Sequence, residues 1–289
     1  MRLAALILVH RYPEQAAELI STLLSHPQVQ VIVHVDAKAQ SCFETLQSQF
    51  KENSRVEFIK PRYKVFWGSY QQIQATYALL QAAEKSKSDY AVLLSGQDFP
   101  IKPISEFIDF LKSANYKNFV VNFALPDRQW EGGGLQRLQY FHFDSEKHPW
   151  LIRKFTAVIH RVQNLLGYKR SISEGLYGGS NWFNLNAHAI KAVCNYVESN
   201  RHFLKQFKYS RCADEIFLQS VLARVTDIST FENADLRMID WSSGPEFPHI
   251  WRGEDYERLV SAEHKFFARK FDASIDQEIL TKLRAYVAR

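Results

Sequence analysis

The sequence predicts an α/β protein with a mostly parallel central sheet flanked by helices. Three observations predict it: short uninterrupted apolar runs recur through the first 125 residues, amphipathic helical stretches separate them, and polar residues stand directly after the runs. Continuous apolar strands are what a sheet needs when helices cover both of its faces. Alternation of strand and helix favours parallel pairing, with ligands bound beyond the carboxyl ends of the strands.

The first run, Leu3–Val9, stops at His10-Arg11-Tyr12-Pro13 with no small-residue cleavage site, so it reads as a buried strand and not as a signal peptide. Pro13–Leu24 follows as a helix, and Val29–Val35 as the second strand, ending at Asp36. Val56–Ile59, Tyr90–Leu94 and Phe119–Phe123 are the remaining strands of this half. Between them, Ser69–Lys85 sets Ile73, Tyr77, Leu80 and Ala83 on one helical face. The later chain is less regular: an aromatic, glycine-rich stretch at Trp130–Gly134, helices at Trp150–Leu166, Ala187–Ser199 and Asp214–Arg224, and a last helix from Ile275. Neither repeat nor linker interrupts it, so one domain over residues 1–289 is expected.

Lys and Arg number 36 against 31 Asp and Glu, a formal charge of +5 on 289 residues. The cations are scattered, with no basic block or binding module, which disfavours nucleic acid as a partner. Such an excess suits an anionic ligand or an acidic membrane surface. The three cysteines, Cys42, Cys194 and Cys212, form no CxxC pair, so a zinc cluster or disulfide framework is not expected and a reducing compartment is. The glycines rule out a dinucleotide GxGxxG after the first strand and a GxxxxGK[ST] phosphate loop, and neither HExxH nor GxSxG occurs.

Four segments carry candidate chemistry, the third of them in two parts, at Gly178 and at Asp214. His34-Val35-Asp36 ends a strand, where Asp36 suits either a ribose or base contact or a turn. Ser95-Gly96-Gln97-Asp98 ends another, with one acid where a metal-binding pair would need two. Gly178-Gly179-Ser180-Asn181-Trp182 combines close backbone approach with an aromatic face for a sugar ring. Asp214 and Glu215 stand at a helix start, where the simple reading is an N-cap and a first-turn acid. Phe266 to Asp272 sets Arg269 and Lys270 among aromatics, where unpaired cations are costly unless an anion meets them.

Together these segments resemble the Core-2/I-branching glycosyltransferases, which include β-1,6-N-acetylglucosaminyltransferases and peptide O-xylosyltransferases. The similar elements are His34-Val35-Asp36, Trp67-Gly68-Ser69, Leu94 to Lys102, Gly178 to Phe183, Asp214-Glu215 and Phe267 to Asp272, in family order over nearly the whole chain. The last of these and the Gly-Gly-Ser-x-Trp-Phe segment are more similar to the xylosyltransferase branch.

The resemblance implies a GT-A fold, with residues 1–125 as a nucleotide-binding half and 126–289 as an acceptor-binding and catalytic half. It implies inverting transfer of GlcNAc or xylose from a UDP-sugar to a hydroxyl of a glycan or other acceptor, with no metal cofactor. Glu215 would then be the general base, and Arg269 and Lys270 would stabilise the departing UDP. Asp36 would sit near the uridine with Arg62 and Asp98 at the nucleotide edge, Trp182 would line the acceptor side with the Gly132–Gly134 loop, Asn181 could bond an acceptor, and His10, Trp67 and Ser95 are further substrate-binding candidates. Asn181 stands where family xylosyltransferases carry an acid. The expectation is a bacterial-type cytoplasmic enzyme in peripheral contact with the inner face of the membrane; a lapsed sugar- or nucleotide-binding protein and a metal-dependent enzyme using Asp98 are the alternatives.

Overall fold

A computed structural model describes residues 1–143, 149–244 and 247–288 of the chain. Strands β1 (Leu3–Val9), β2 (Val29–Val35) and β3 (Val56–Phe58) alternate with helices α1 (Pro13–Leu24) and α2 (Gln40–Phe50). Helix α3 (Tyr70–Lys85) leads to β4 (Tyr90–Ser95), the short β5 (Asp98–Pro100), α4 (Ile104–Ser113), β6 (Asn118–Val120) and β7 (Phe123–Ala124). The second half carries α5 (Gln136–Gln139), α6 (Pro149–Leu165), β8 (Tyr177–Gly178), β9 (Phe183–Asn186), α7 (Ala187–Ser199), α8 (Arg201–Lys205) and α9 (Asp214–Val225). It closes with β10 (Phe231–Glu232), β11 (Arg237–Ile239), α10 (Tyr256–Val260), β12 (Phe267–Arg269) and α11 (Glu278–Val287).

The main sheet has seven strands in the order β10-β6-β9-β4-β1-β2-β3. Only β9 runs against its neighbours; β1 pairs in parallel with β2 and β4, and β2 with β3. The predicted fold class is therefore the observed one. Alternation in β1 shows why its run is apolar throughout: Leu3, Ala5, Ile7 and Val9 enter one buried cluster and Ala4 and Leu6 the other. Each fully buried leucine or isoleucine contributes about 1.5–3 kcal/mol.

Three elements differ from expectation. The run at Phe119–Phe123 splits, because β6 pairs with β9 and β10 while Phe123 and Ala124 leave to pair with β8. The last helix begins at Glu278, after Asp276 accepts hydrogen bonds from the Gly253 and Ile279 amides. Asp214 is not an N-cap: Ala213 is, and Asp214 lies inside the helix as its first residue.

A second sheet has the order β11-β12-β5, and its β5 begins three residues after the carboxyl end of β4. In it β12 runs antiparallel to β5, with Arg269 opposite Asp98. Among the described residues, no helix is long and apolar enough to cross a membrane.

Candidate active site

Strand ends bring the site together. His10 and Arg11 follow β1, Asp36 follows β2, and Ser95 closes β4; Trp182 precedes β9, whose reversed direction brings its start to the same edge. The small sheet adds cations. Arg237 and Arg269 stand at registers two residues apart on paired strands, so they project from one face as diagonal neighbours.

Asp98 anchors this corner. It is wholly buried, and its Oδ2 accepts the Ser95 amide at 2.7 Å. Its Oδ1 accepts from Arg269 Nη1 at 3.0 Å, and Arg237 Nε lies 3.7 Å from Oδ2. Arg269 Nη1 also donates to Ser95 Oγ at 2.5 Å. Asp98, expected at the nucleotide edge, and Ser95, a further substrate-binding candidate, are both buried and hold the Arg269 guanidinium, with Arg237 beside Asp98. Among the described residues only Nη1 of Arg269 is engaged, which leaves its Nε and Nη2 for an incoming anion.

Trp182 receives the cations on its ring. The guanidinium carbons of Arg237 and Arg269 sit 4.4 and 4.7 Å from its ring, a cation–π contact on each. Beside the Gly132–Gly134 loop stands Trp130, whose ring would clash with a side chain at Gly134 and crowd one at Gly178. Lys270 is half-buried; burial, then the neighbouring Arg11 and Arg269, lowers its pKa from the usual lysine range. The surrounding protein withholds much of the hydration of His10, which keeps part of its surface open; this, followed by the charge of Arg11, pushes its pKa down to about 4, with Asp36 opposing.

The second half of the site is built on α9. Glu215 is partly exposed, and its Oε2 accepts from Arg137 Nη1 at 2.5 Å. Arg137 is itself held by the Cys212 carbonyl at 3.1 Å and by stacking 3.9 Å from the Trp130 ring. An exposed pair of this kind stabilises the fold by about 0–1 kcal/mol, so its effect is to orient the carboxylate. Asp214 is buried beside it and accepts from Gln72 Nε2 at 2.7 Å; burial, then the charge of Glu215, pushes its pKa up to about 7.

Close backbone packing joins the halves. The Gly179 amide donates to the Glu215 carbonyl at 3.0 Å, and a Cβ at Gly179 would lie 1.8 Å from the Val121 carbonyl oxygen, so only glycine fits. From Gly179 the chain reaches Trp182 in three residues, which limits their Cα separation to about 10 Å. Asn181 is half-buried on that bridge. Gly68, at φ +69°, takes the Cys212 amide on its carbonyl at 2.7 Å, tying Trp67-Gly68-Ser69 to the start of α9. Trp67 itself is 73% exposed, with the Arg211 guanidinium 5.5 Å from its ring.

Asp36 forms the turn that its position allowed: Oδ1 accepts the Lys38 amide at 2.8 Å, and Lys38 Nζ stands 3.5 Å from Oδ2. Behind it, buried His34 accepts the Tyr63 amide on Nε2 at 2.9 Å and stacks on the Tyr63 ring. Burial brings the His34 pKa down to about 4, with Asp36 opposing. Arg62 stacks 4.1 Å from Phe43 and bonds to Gln40 Oε1.

The sequence reading missed Arg137, Arg237 and Trp130. Trp130 had a signal, an indole beside three glycines. The two arginines had none, since the carboxylate that ties each to the site stands 78 or 139 residues away in sequence, Glu215 and Asp98 respectively (215 − 137 and 237 − 98).

Fold and site define the class: an α/β protein with an anchored cationic corner and an oriented carboxylate on the carboxyl edge of a mostly parallel sheet. Its sequence narrows this further. Residues 3–264 match the family described as Core-2/I-Branching enzyme, and the chain belongs to that family. It is 24% identical to "Xylosyltransferase oxt" of Drosophila pseudoobscura pseudoobscura, over 99% of this chain and 33% of that protein. It is 25% identical to "Xylosyltransferase 1" of Homo sapiens, over 99% of this chain and 30% of that protein. The chain thus spans about a third of the length of these relatives. Among solved structures it is similar to the WbbM bifunctional glycosyltransferase, at a TM-score of 0.43 and 12% identity, covering 93% of this chain and 45% of that one.

Proposed function

We propose that this chain moves GlcNAc or xylose from a UDP-sugar to an acceptor hydroxyl with inversion, and without a divalent metal. In this reading the acceptor oxygen attacks the anomeric carbon as the bond to the diphosphate oxygen breaks. The acceptor proton passes to Glu215, and the electron pair leaves on UDP. A single displacement needs its base on the face opposite the leaving group. A carboxylate on α9 and cations on β12, bridged by the short Gly179–Trp182 segment, are consistent with that demand.

The observation that carries the reading is the half-committed guanidinium of Arg269. Asp98 and Ser95 fix one nitrogen, and the remaining edge is free for bidentate contact with a phosphate oxygen pair. Lys270 adds a point charge beside it. A cation bound at Asp98 would have to displace Arg269, so the same geometry weighs against the metal-dependent alternative. Calorimetric titration of UDP tests the proposal: binding in EDTA, unchanged by Mn²⁺, is the expected result, and binding only with Mn²⁺ would overturn it.

A further inference from the structure

Helix α6 turns its most apolar face away from the protein. Its inward side is largely polar: Gln163 is buried and bonds to the Phe141 amide at 3.1 Å and the Gln139 carbonyl at 3.5 Å, and His160 Nε2 meets the Phe141 carbonyl at 2.9 Å. Its outward side carries Leu151, Phe155, Val158, Val162 and Leu165, each about half exposed or more, and Leu165 86% exposed. At about 100° per residue these five fall within an arc of roughly 80°, a single stripe along the helix. Leu166 extends the stripe past the helix end, also exposed.

Charge narrows the occupant. Residues 149 to 173 hold five Lys and Arg and no Asp or Glu. Lys154, Arg161 and Lys169 are exposed, and the Lys154 ammonium lies 3.9 Å from the ring of the exposed Trp150. A second copy docking α6 on α6 about a two-fold axis would bring these cations against their own equivalents, with no acid in the segment to offset them. An apolar stripe bordered by cations and an aromatic ring matches a helix lying in the plane of an anionic lipid surface.

We propose that α6 seats this chain on an anionic bilayer, its apolar stripe entering the headgroup boundary while Lys154, Arg161 and Lys169 meet lipid phosphates. The polar inward face and its hydrogen bonds stay with the protein, so the helix lies on the membrane and does not cross it.

Flotation of the full chain with phosphatidylcholine vesicles, with and without about one-third phosphatidylglycerol, tests this. Expected is binding to the anionic vesicles alone, weakened when salt is raised to about 0.5 M. Replacing Phe155 and Leu165 together by Ser should cut that binding by about tenfold or more. Lys154→Glu with Arg161→Glu should remove it, while circular dichroism and UDP titration report an intact fold in both variants. No flotation, equal flotation with neutral vesicles, or binding that both variants leave unchanged would overturn the proposal. So would a dimer in lipid-free light scattering that the serine variant abolishes, because the stripe would then belong to a second copy.

Discussion

Replacing Arg269 by Ala should separate leaving-group stabilisation from folding, because the structure divides the roles of Arg269 and its anchor. Arg269 loses two charge-assisted hydrogen bonds, to Ser95 Oγ and Asp98 Oδ1. Asp98 nevertheless keeps the Ser95 amide at 2.7 Å and Arg237 at 3.7 Å, so no buried charge is orphaned. The stability cost is about 1.5–3 kcal/mol, which at about 2 °C per kcal/mol for a chain of this length lowers Tm by roughly 3–6 °C. Removing Asp98 instead leaves Arg237 buried without its carboxylate. Asp98→Ala should therefore cost about 3–5 kcal/mol, or roughly 6–10 °C. Activity should rank the other way for each degree lost: Arg269→Ala should lower turnover about tenfold to a thousandfold, equivalent to about 1.4–4 kcal/mol of transition-state stabilisation. The assays are thermal unfolding, UDP titration, and UDP release from UDP-GlcNAc and UDP-xylose. Wild-type turnover and UDP affinity in Arg269→Ala would refute the leaving-group role, whatever the change in Tm.

Glu215→Gln keeps the shape and the Arg137 contact but cannot take a proton, so transfer should fall about a hundredfold to ten-thousandfold while UDP still binds. Full transfer by this variant would remove Glu215 as the base. Acid should destabilise the fold between about pH 6.5 and 4: His10, His34 and His142 all have folded pKa values lowered to about 4, so unfolding takes up protons there and stability is lost as pH falls. Asp214 acts with the opposite sign. Its folded pKa is raised to about 7, so its protonated form is favoured in the fold and its contribution is lost as pH rises from about 4 through 7. The Tm of Asp214→Asn relative to wild type should therefore increase from pH 5 to pH 8, with the Gln72 hydrogen bond retained; a constant difference would show that Asp214 does not titrate in that range.

Much of the fold was legible because apolar runs and helical faces are local patterns. The β1, β2 and β4 runs, the α1 and α7 spans and the mostly parallel sheet all follow from residues within a dozen positions of one another. The strand ends were legible for the same reason, and so were the polar residues placed there. Short elements were not. Whether Phe123 extends β6 or leaves for β8 depends on a partner 55 residues further along (178 − 123), and no periodicity reports it.

The candidate site divides along the same line. Motif order alone pointed to the family, because the segments that hold Glu215, Arg269 and Lys270 are contiguous and can be recognised without knowing what they touch. Tertiary structure alone decided what each of them does with its neighbours. The β5–β12 register set Arg269 on Asp98; the β11–β12 pairing brought Arg237 beside it; and α5 delivered Arg137 to Glu215. A hydrogen bond is sensitive to tenths of an ångström between atoms far apart in the chain, whereas sequence pattern carries only spacing along it, and that is why the residues could be named in advance and their partners could not.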